Sequence, residues 1–294
     1  MILAIPAMAD PTFDDLDLAI AVDRVEAVQH VPRIVTVTLR NPTQHGVEGN
    51  VKLRDEGWLH LYLTPPGGQE QEVHTGRSDA MLGIEPGPVP TDIAPGATFS
   101  HRVLLRGGDQ IVESGEYRIR AEFEDWDRSS TIEAEPIVFE VTPLPEDEQE
   151  AVAFLAEHDL LEELTFQAGA INPSRVEGME QFVAQDDFQD SMFMPYIKAR
   201  LGSWLMQRHG TEPQPSEERI ERGIQLMTQA IETPDYEEAP AAMFHLATSR
   251  EYRHQPEQAR PLLRKLVDEW PESHLAPRAR EHLKVLDRRE EDRT

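Results

Sequence analysis

Residues 241–271 carry the pattern of two short helices that pack antiparallel, and this stretch limits the possible folds more than any other. Two antiparallel helices approach closely only where small side chains let one backbone into the groove of the other. Ala259 is predicted to lie at that crossing, and its neighbour Arg260 is expected to be exposed. Pro271 ends the second helix because it has no N–H to donate. The small and apolar residues at helical spacing are Met243, Leu246, Ala247, Ala259, Leu263 and Leu266.

The offsets of these residues resemble those of tetratricopeptide repeats, a family of helix–turn–helix hairpins that stack into a solenoid. The resemblance implies a protein that binds other proteins or peptides and carries out no chemistry. It also implies that the partner lies on the inner helix faces of the solenoid.

A modified repeat is predicted upstream, with one helix around Gly202 and the next around Gly223. We expect the two glycines to lie where these helices touch, because neither has a side chain to hold the backbones apart. A degenerate repeat precedes it, and a helix over 277–286 with a polar outer face is predicted to close the stack.

The N-terminal part of the chain has the alternation of short β-strands separated by Pro and Gly turns. About seven or eight strands suggest a β-sandwich. Ser114-Gly115-Glu116-Tyr117 resembles the tyrosine corner of immunoglobulin-like and fibronectin type III domains, which implies that fold more weakly. The predicted strands are 16–22, 34–39, 58–63, 70–73, 81–84, 99–105, 117–123 and 137–141. A further short strand near Ile132 is expected to form a hairpin with 117–123.

The predicted fold class is therefore multidomain β + α, an immunoglobulin-like β-sandwich followed by a tetratricopeptide-like α-solenoid. The sandwich is assigned to 10–142, the linker and helix start to 143–150, and the helical repeats to 151–290. Residues 1–9 resemble the end of a signal peptide, with Ala7-Met8-Ala9 as a cleavage pattern. That pattern favours a periplasmic or secreted protein of a bacterial cell envelope and leaves a cytoplasmic one open.

The chain is strongly acidic, with 55 Asp and Glu against 28 Lys and Arg and a formal net charge of -27. Neither half has a basic excess to pair with phosphates, which argues against nucleic acid as a partner. A basic or neutral protein or peptide is the expected partner. There is no cysteine, and no apolar run is long enough to insert into a membrane.

No complete catalytic or metal-binding motif is present, so we expect a non-enzymatic protein with no cofactor and no metal site. Asp186-Asp187-Phe188-Gln189-Asp190 matches a diphosphate–magnesium motif, DDxxD. A second such motif is lacking, and helix capping by Asp and Ser is the preferred interpretation. The histidines are scattered and lack zinc-binding spacing.

Five residues are candidates for contacting a partner. Four come from the first helix of each predicted hairpin and one from the tip of a predicted β-hairpin: Lys198, Trp204, Arg250, Arg253 and Trp126. Aromatic and arginine side chains are the commonest anchors of protein interfaces. The alternative is a carbohydrate-binding or accessory module of an envelope hydrolase, in which Trp58, Tyr62 or Trp126 stacks on a glycan. Trp58 and Tyr62 share one face of a strand, and the sequence does not decide which face is buried.

Overall fold

The computed structural model describes residues 11–23, 26–51, 53, 58–73, 90–165, 171–208, 214–271, 273 and 275–291. In these residues the N-terminal half forms β-strands and the C-terminal half forms seven α-helices, which confirms the predicted β-then-α layout. The predicted leader at 1–9 and the predicted strand at 81–84 lie outside the described residues.

Eight of the described strands begin within two residues of a predicted strand, whereas Glu26–Val28, Val47–Gly49 and Thr91–Ile93 were not predicted. The described strands are β1 Asp17–Val22, β2 Glu26–Val28, β3 Arg33–Arg40, β4 Val47–Gly49, β5 Leu59–Thr64, β6 Gln71–Glu72, β7 Thr91–Ile93, β8 Thr98–Leu105, β9 Gly115–Glu124, β10 Thr131–Glu133 and β11 Ile137–Thr142.

The strands pair into three sheets in the described part of the chain. One has the order β2-β11-β9-β5-β6, with β10 pairing β9; a second has the order β1-β3-β8; the third is β4-β7. In the first sheet β5 and β9 run antiparallel, with Leu61 opposite Ala121 and Tyr62 opposite Arg120. The leucines of β5 are buried and His60 and Tyr62 lie on the wetter face, which decides the question that the sequence left open.

The helices begin at about residue 149, directly after the predicted linker. They are α1 Gln149–Glu157, α2 Pro173–Ala184, α3 Met194–Met206, α4 Glu217–Glu232, α5 Ala239–Tyr252, α6 Pro256–Glu269 and α7 Leu275–Glu291. Asn172 caps the start of α2, because its side chain accepts a hydrogen bond from the Ser174 N–H.

The two predicted glycines meet where α3 and α4 cross. A Cβ added at Gly202 would lie 2.6 Å from the Gly223 carbonyl oxygen, and one added at Gly223 would lie 2.7 Å from the Gly202 carbonyl oxygen. No side chain fits at such distances, so glycine at both positions is what allows the two backbones to touch. This confirms the predicted contact.

The chain divides into two compact units. The first comprises the described parts of 1–26, 35–103 and 115–140, and the second those of 27–34, 104–114 and 141–294. The unit that holds the helices thus includes two segments from the β half of the sequence. Val31 belongs to the helical hydrophobic core. Arg33 forms a buried salt bridge of 2.5 Å with Glu237.

Ala259 on α6 is fully buried, as the helical pattern predicts. The expectation that Arg260 is exposed is wrong. Its side chain is mostly covered, and Nη2 donates a hydrogen bond to the Leu286 carbonyl at 2.9 Å because α7 packs over this part of α6.

Ala259→Leu is therefore expected to destabilise the helical unit by about 1–3 kcal/mol, because a close-packed crossing has no room for the added methylenes. Arg264→Leu on the exposed face of α6 is the matched control and should change the free energy of unfolding by less than about 0.5 kcal/mol. Urea denaturation followed by circular dichroism measures both. Equal effects would show that Ala259 is not at a tight crossing.

Candidate functional site

The first two turns of α4 bring together residues from the ends of α3 and α5. Ser216 caps α4 by accepting a hydrogen bond from the Arg219 N–H, and acidic residues follow in the first turn. Both features favour a helix start, since they satisfy free N–H groups and complement the helix dipole. Side chains of this helix start contact two of the four helical candidates, Arg253 and Trp204.

Arg253 is held by Glu217. Its Nη2 donates to both carboxylate oxygens at 2.9 Å. The Arg253 side chain is 23% exposed, whereas that of Glu217 is 89% exposed. An ion pair with one fully hydrated member contributes only about 0–1 kcal/mol to stability. Arg253 can therefore exchange Glu217 for another hydrogen-bond acceptor with little loss of stability.

Arg250 lies one turn earlier on α5 and is half-buried. Its Nη1 donates to the Gln255 side-chain oxygen at 2.8 Å. Burial lowers the pKa of the Arg250 guanidinium, the nearby Glu221 carboxylate raises it, and Arg253 lowers it. The α4 start thus faces both arginines with carboxylates.

Trp204 lies at the end of α3 and is half-buried. The Arg219 guanidinium carbon lies 4.3 Å from the centroid of the Trp204 ring. Such cation–π contacts are worth about 0.5–1 kcal/mol at partly exposed sites. Trp204 is thereby packed against α4.

Tyr252, which the sequence analysis missed, is the last residue of α5 and is 84% exposed. No other large hydrophobic side chain among the described residues is as exposed. Its signal in the sequence is an aromatic residue placed off the apolar stripe of its helix and next to an arginine. We define the α4–α5 edge as Trp204, Glu217, Arg219, Arg250, Tyr252 and Arg253.

Lys198 is not connected to the α4–α5 edge by any contact among the described residues. It is half-buried on α3 and makes no hydrogen bond or ion pair within the described part of the chain. Burial lowers the pKa of its ammonium group.

Trp126 lies at the tip of the β9–β10 hairpin, as predicted, and is 39% exposed. Asp125 closes the turn, because its carboxylate accepts hydrogen bonds from the N–H groups of Asn50 and Trp126. Burial raises the pKa of Asp125. The loop presents one aromatic side chain on a fixed turn.

The wetter face of β5 and β9 is occupied by charged side chains. The Arg120 guanidinium carbon lies 3.8 Å from the Tyr62 ring centroid, and the Tyr62 hydroxyl donates to Glu122 at 3.2 Å. His60 Nδ1 lies 2.7 Å from a Glu72 oxygen. Glycan stacking needs an open aromatic face, and Arg120 already covers one face of Tyr62. This arrangement does not favour the carbohydrate-binding alternative at Tyr62.

A buried serine–histidine pair lies between α3 and α5. Ser203 Oγ is 3.1 Å from His245 Nε2. Burial lowers the pKa of His245 to about 4, with a smaller contribution from the Arg200 charge. The imidazole is therefore neutral near pH 7. Since both side chains are buried, the pair has no direct access to a substrate.

The DDxxD segment forms a short 3₁₀ turn, Asp186–Phe188, ahead of α3. Glu148 accepts hydrogen bonds from Ser191 Oγ at 2.6 Å and from the Met192 N–H at 2.7 Å, and Ser191 Oγ accepts one from the Phe193 N–H. The serine thus satisfies an N–H ahead of α3. Within the described ranges no cluster of three or more His, Asp or Glu has the geometry to hold a metal ion.

None of the helices in the described residues is both long and apolar enough to span a bilayer.

No protein-family model matches the chain, and no curated protein matches it. Among solved structures, a β-glucosidase from Erythrobacter marinus is 14% identical over 43% of this chain and 15% of the enzyme, with a TM-score of 0.26. A CARDB domain from Pyrococcus furiosus, in complex with metal ions, is 14% identical over 46% of this chain and 100% of the domain, at a TM-score of 0.26.

The Bacillus subtilis sporulation control protein Spo0M is 10% identical over 49% of this chain and 55% of its own length, again at a TM-score of 0.26. The chain spans about 15% of the length of the β-glucosidase that it matches. Likenesses at this level carry no argument about fold or function.

Proposed function

We propose that this protein is a non-enzymatic binding or assembly protein that contacts a protein partner through the α4–α5 edge. The proposal is carried by one observation: the exposed Tyr252 lies at one helix end beside Arg253, which is paired with the hydrated Glu217. Tyrosine and arginine are over-represented among the residues that dominate binding energy at interfaces.

The packing of the helices supports a tetratricopeptide-like interpretation. From α3 onwards each helix contacts the next, and α3 also contacts α5, as α5 contacts α7. Such contacts between successive first helices are what a stack of helical hairpins produces. The crossings at Gly202–Gly223 and at Ala259 have the small residues that this packing needs.

The burial of α3 and α5 moves the proposed binding surface away from the inner helix faces. Ten of the 13 residues of α3 are buried. On α5 the residues from Ala242 to Ala247 are buried as well. A partner would find few accessible side chains along these faces, whereas the ends of the same helices are open at the α4–α5 edge.

The expected partner is basic or neutral overall and offers one acceptor group locally. With a net charge of -27 the chain repels acidic proteins and steers basic ones, an effect that salt weakens. Arg253 needs a carboxylate or carbonyl oxygen, and Tyr252 needs apolar contact. A placement in the cell envelope rests on the Ala7-Met8-Ala9 pattern alone.

The test is capture of the partner from an extract of the native host by the immobilised full chain. Arg253→Glu is expected to reduce capture at least about tenfold, because it replaces the donor and adds a repelling charge beside Glu217. Tyr252→Ala should reduce capture by a similar factor. Capture by the unmodified chain should fall as salt rises.

Arg264→Glu on α6 is the control, since it makes the same change of charge at an exposed position outside the edge. All variants must keep the melting temperature of the parent. If Arg264→Glu and Arg253→Glu act equally, net charge alone is responsible. If capture falls only for Trp126→Ala, the binding surface is on the β unit.

A further inference from the structure

Arg253 uses only part of its guanidinium in its contact with Glu217. Both carboxylate oxygens lie 2.9 Å from the same nitrogen, Nη2. Nε is shielded from water and has no acceptor, and Nη1 has no acceptor among the described residues. A carboxylate that binds an arginine end-on accepts from both Nη atoms, and such two-point contacts are the stronger kind. Glu217 therefore leaves a stronger contact with the same guanidinium unmade.

Glu217 is held on Arg253 by little else in the fold. Its side chain is 89% exposed, so it gives up almost no water to make the contact. It is the first residue of α4, directly after the Ser216 cap. Rotation of this one hydrated side chain releases Arg253 and leaves the backbone of α4 in place.

Arg250 places a second positive charge beside Arg253. The two residues are three apart at the end of α5, a spacing at which side chains are neighbours on a helix surface. Arg250 Nη1 donates to the neutral Gln255 side chain at 2.8 Å. No described carboxylate forms an ion pair with Arg250, although the charge of Glu221 raises the pKa of its guanidinium. The end of α5 therefore has one more guanidinium charge than its directly bound carboxylates neutralise.

We infer that Glu217 competes with the partner for Arg253, and that an Asp or Glu side chain of the partner takes its place. This rests on the proposed function and assigns the chemistry and the control of the same edge. A side-chain carboxylate is named because Glu217 shows that group in this position, and because Arg250 supplies charge for it. The partner's carboxylate accepts from Nη1 and Nη2 together, and its apolar neighbours cover Tyr252.

The competition selects for partners that make both contacts. A small free anion gains only the arginines, and Glu217 opposes it with a carboxylate that is always present at the site. A protein that also covers Tyr252 gains an apolar contact with which Glu217 does not compete. An internal competitor thus raises specificity by weakening the wrong ligands more than the right one.

The first experiment needs no partner. Phenylglyoxal modifies accessible guanidinium groups, and mass spectrometry of the digested full chain measures its rate of reaction at Arg253. Glu217→Gln should raise that rate about two- to fivefold, the range that an exposed ion pair allows. Glu218→Gln is the matched control, because Glu218 is an exposed acid in the same first turn of α4 and no hydrogen bond or ion pair joins it to Arg253 in the described structure. Equal rates in the two variants would overturn the competition.

The second experiment measures capture of the same partner band from the host extract over a series of concentrations of the immobilised full chain. Glu217→Gln should bind about two- to fivefold more tightly than the parent, and Glu218→Gln should match the parent. Both variants should keep the melting temperature of the parent. Weaker capture by Glu217→Gln with a lower melting temperature would show that Glu217 only joins α4 to α5, and would overturn the inference.

Amidation of the extract with carbodiimide and glycinamide tests the carboxylate. It removes negative charge from the partner and so favours steering to an acidic chain, yet capture should fall at least about tenfold. Capture that persists after amidation would overturn the choice of an acidic side chain. A partner that is captured equally by Glu217→Gln and Glu218→Gln would refute the competition and leave the proposed function standing. No capture by the parent or by Glu217→Gln would refute both.

Discussion

Gly223→Leu is expected to destabilise the helical unit by about 3 kcal/mol or more, because a side chain there would overlap the backbone of α3. Even a Cβ alone would lie 2.7 Å from the Gly202 carbonyl oxygen, 2.9 Å from Met206 Cγ and 3.1 Å from Leu205 Cβ. The carbonyl belongs to the facing helix and cannot rotate away. Leucine at this position therefore has to separate α3 from α4.

Helix propensity alone would make Gly223→Leu stabilising. A loss of stability therefore indicates steric overlap. Replacing glycine in a helix interior normally stabilises it by about 1 kcal/mol. Gln225→Leu on the exposed face of the same helix is the control, and it should change stability little. Urea denaturation monitored at 222 nm compares the two. If Gly223→Leu is as stable as Gln225→Leu, the helices do not meet at these glycines.

Arg33→Met is expected to lower the free energy of unfolding by about 3–5 kcal/mol, because it removes the guanidinium from a buried salt bridge and leaves the Glu237 carboxylate buried. Both side chains are nearly inaccessible to water, and they lie 204 positions apart in the sequence. The expected effect is large because water cannot replace the lost interaction.

The double variant Arg33→Met with Glu237→Leu should recover much of the loss, since a buried ion pair and an apolar pair of similar volume are often equally stable. Arg222→Met provides a control in the same unit, where the ion pair with Glu180 is exposed and should contribute little. A cost for Arg33→Met no greater than for Arg222→Met would contradict the buried pairing of 27–34 with the helices.

Local patterns predicted the elements of this fold well, because alternation and helical spacing are properties of neighbouring residues. The strands around Leu61 and Ile119 and the crossing at Gly202 and Gly223 were all indicated this way. The inclusion of 27–34 in the helical unit was not. The local pattern assigns Val31 to a β segment. Its contact with the helical core depends on residues far away in the chain.

Part of the candidate site could also be predicted from local patterns. Arg250 and Arg253 were chosen from one helix, and the structure shows that both face carboxylates from the start of α4. Lys198 was chosen by the same rule but lies apart from them. Tyr252 stands off the apolar stripe of its helix but was overlooked, because its exposure depends on where α5 stops. The exposure of Arg260 was predicted wrongly because α7, a distant helix, packs over its side chain.

The most direct test of the central claim is site-specific photocross-linking of the full chain in its native host. A benzophenone side chain at position 252 should form an adduct with another protein, and Arg253→Glu should remove that adduct. The same group at position 126, at the tip of the β9–β10 hairpin, and at position 264, on the outer face of α6, should give none. An adduct at 126 without one at 252 would contradict binding through the α4–α5 edge.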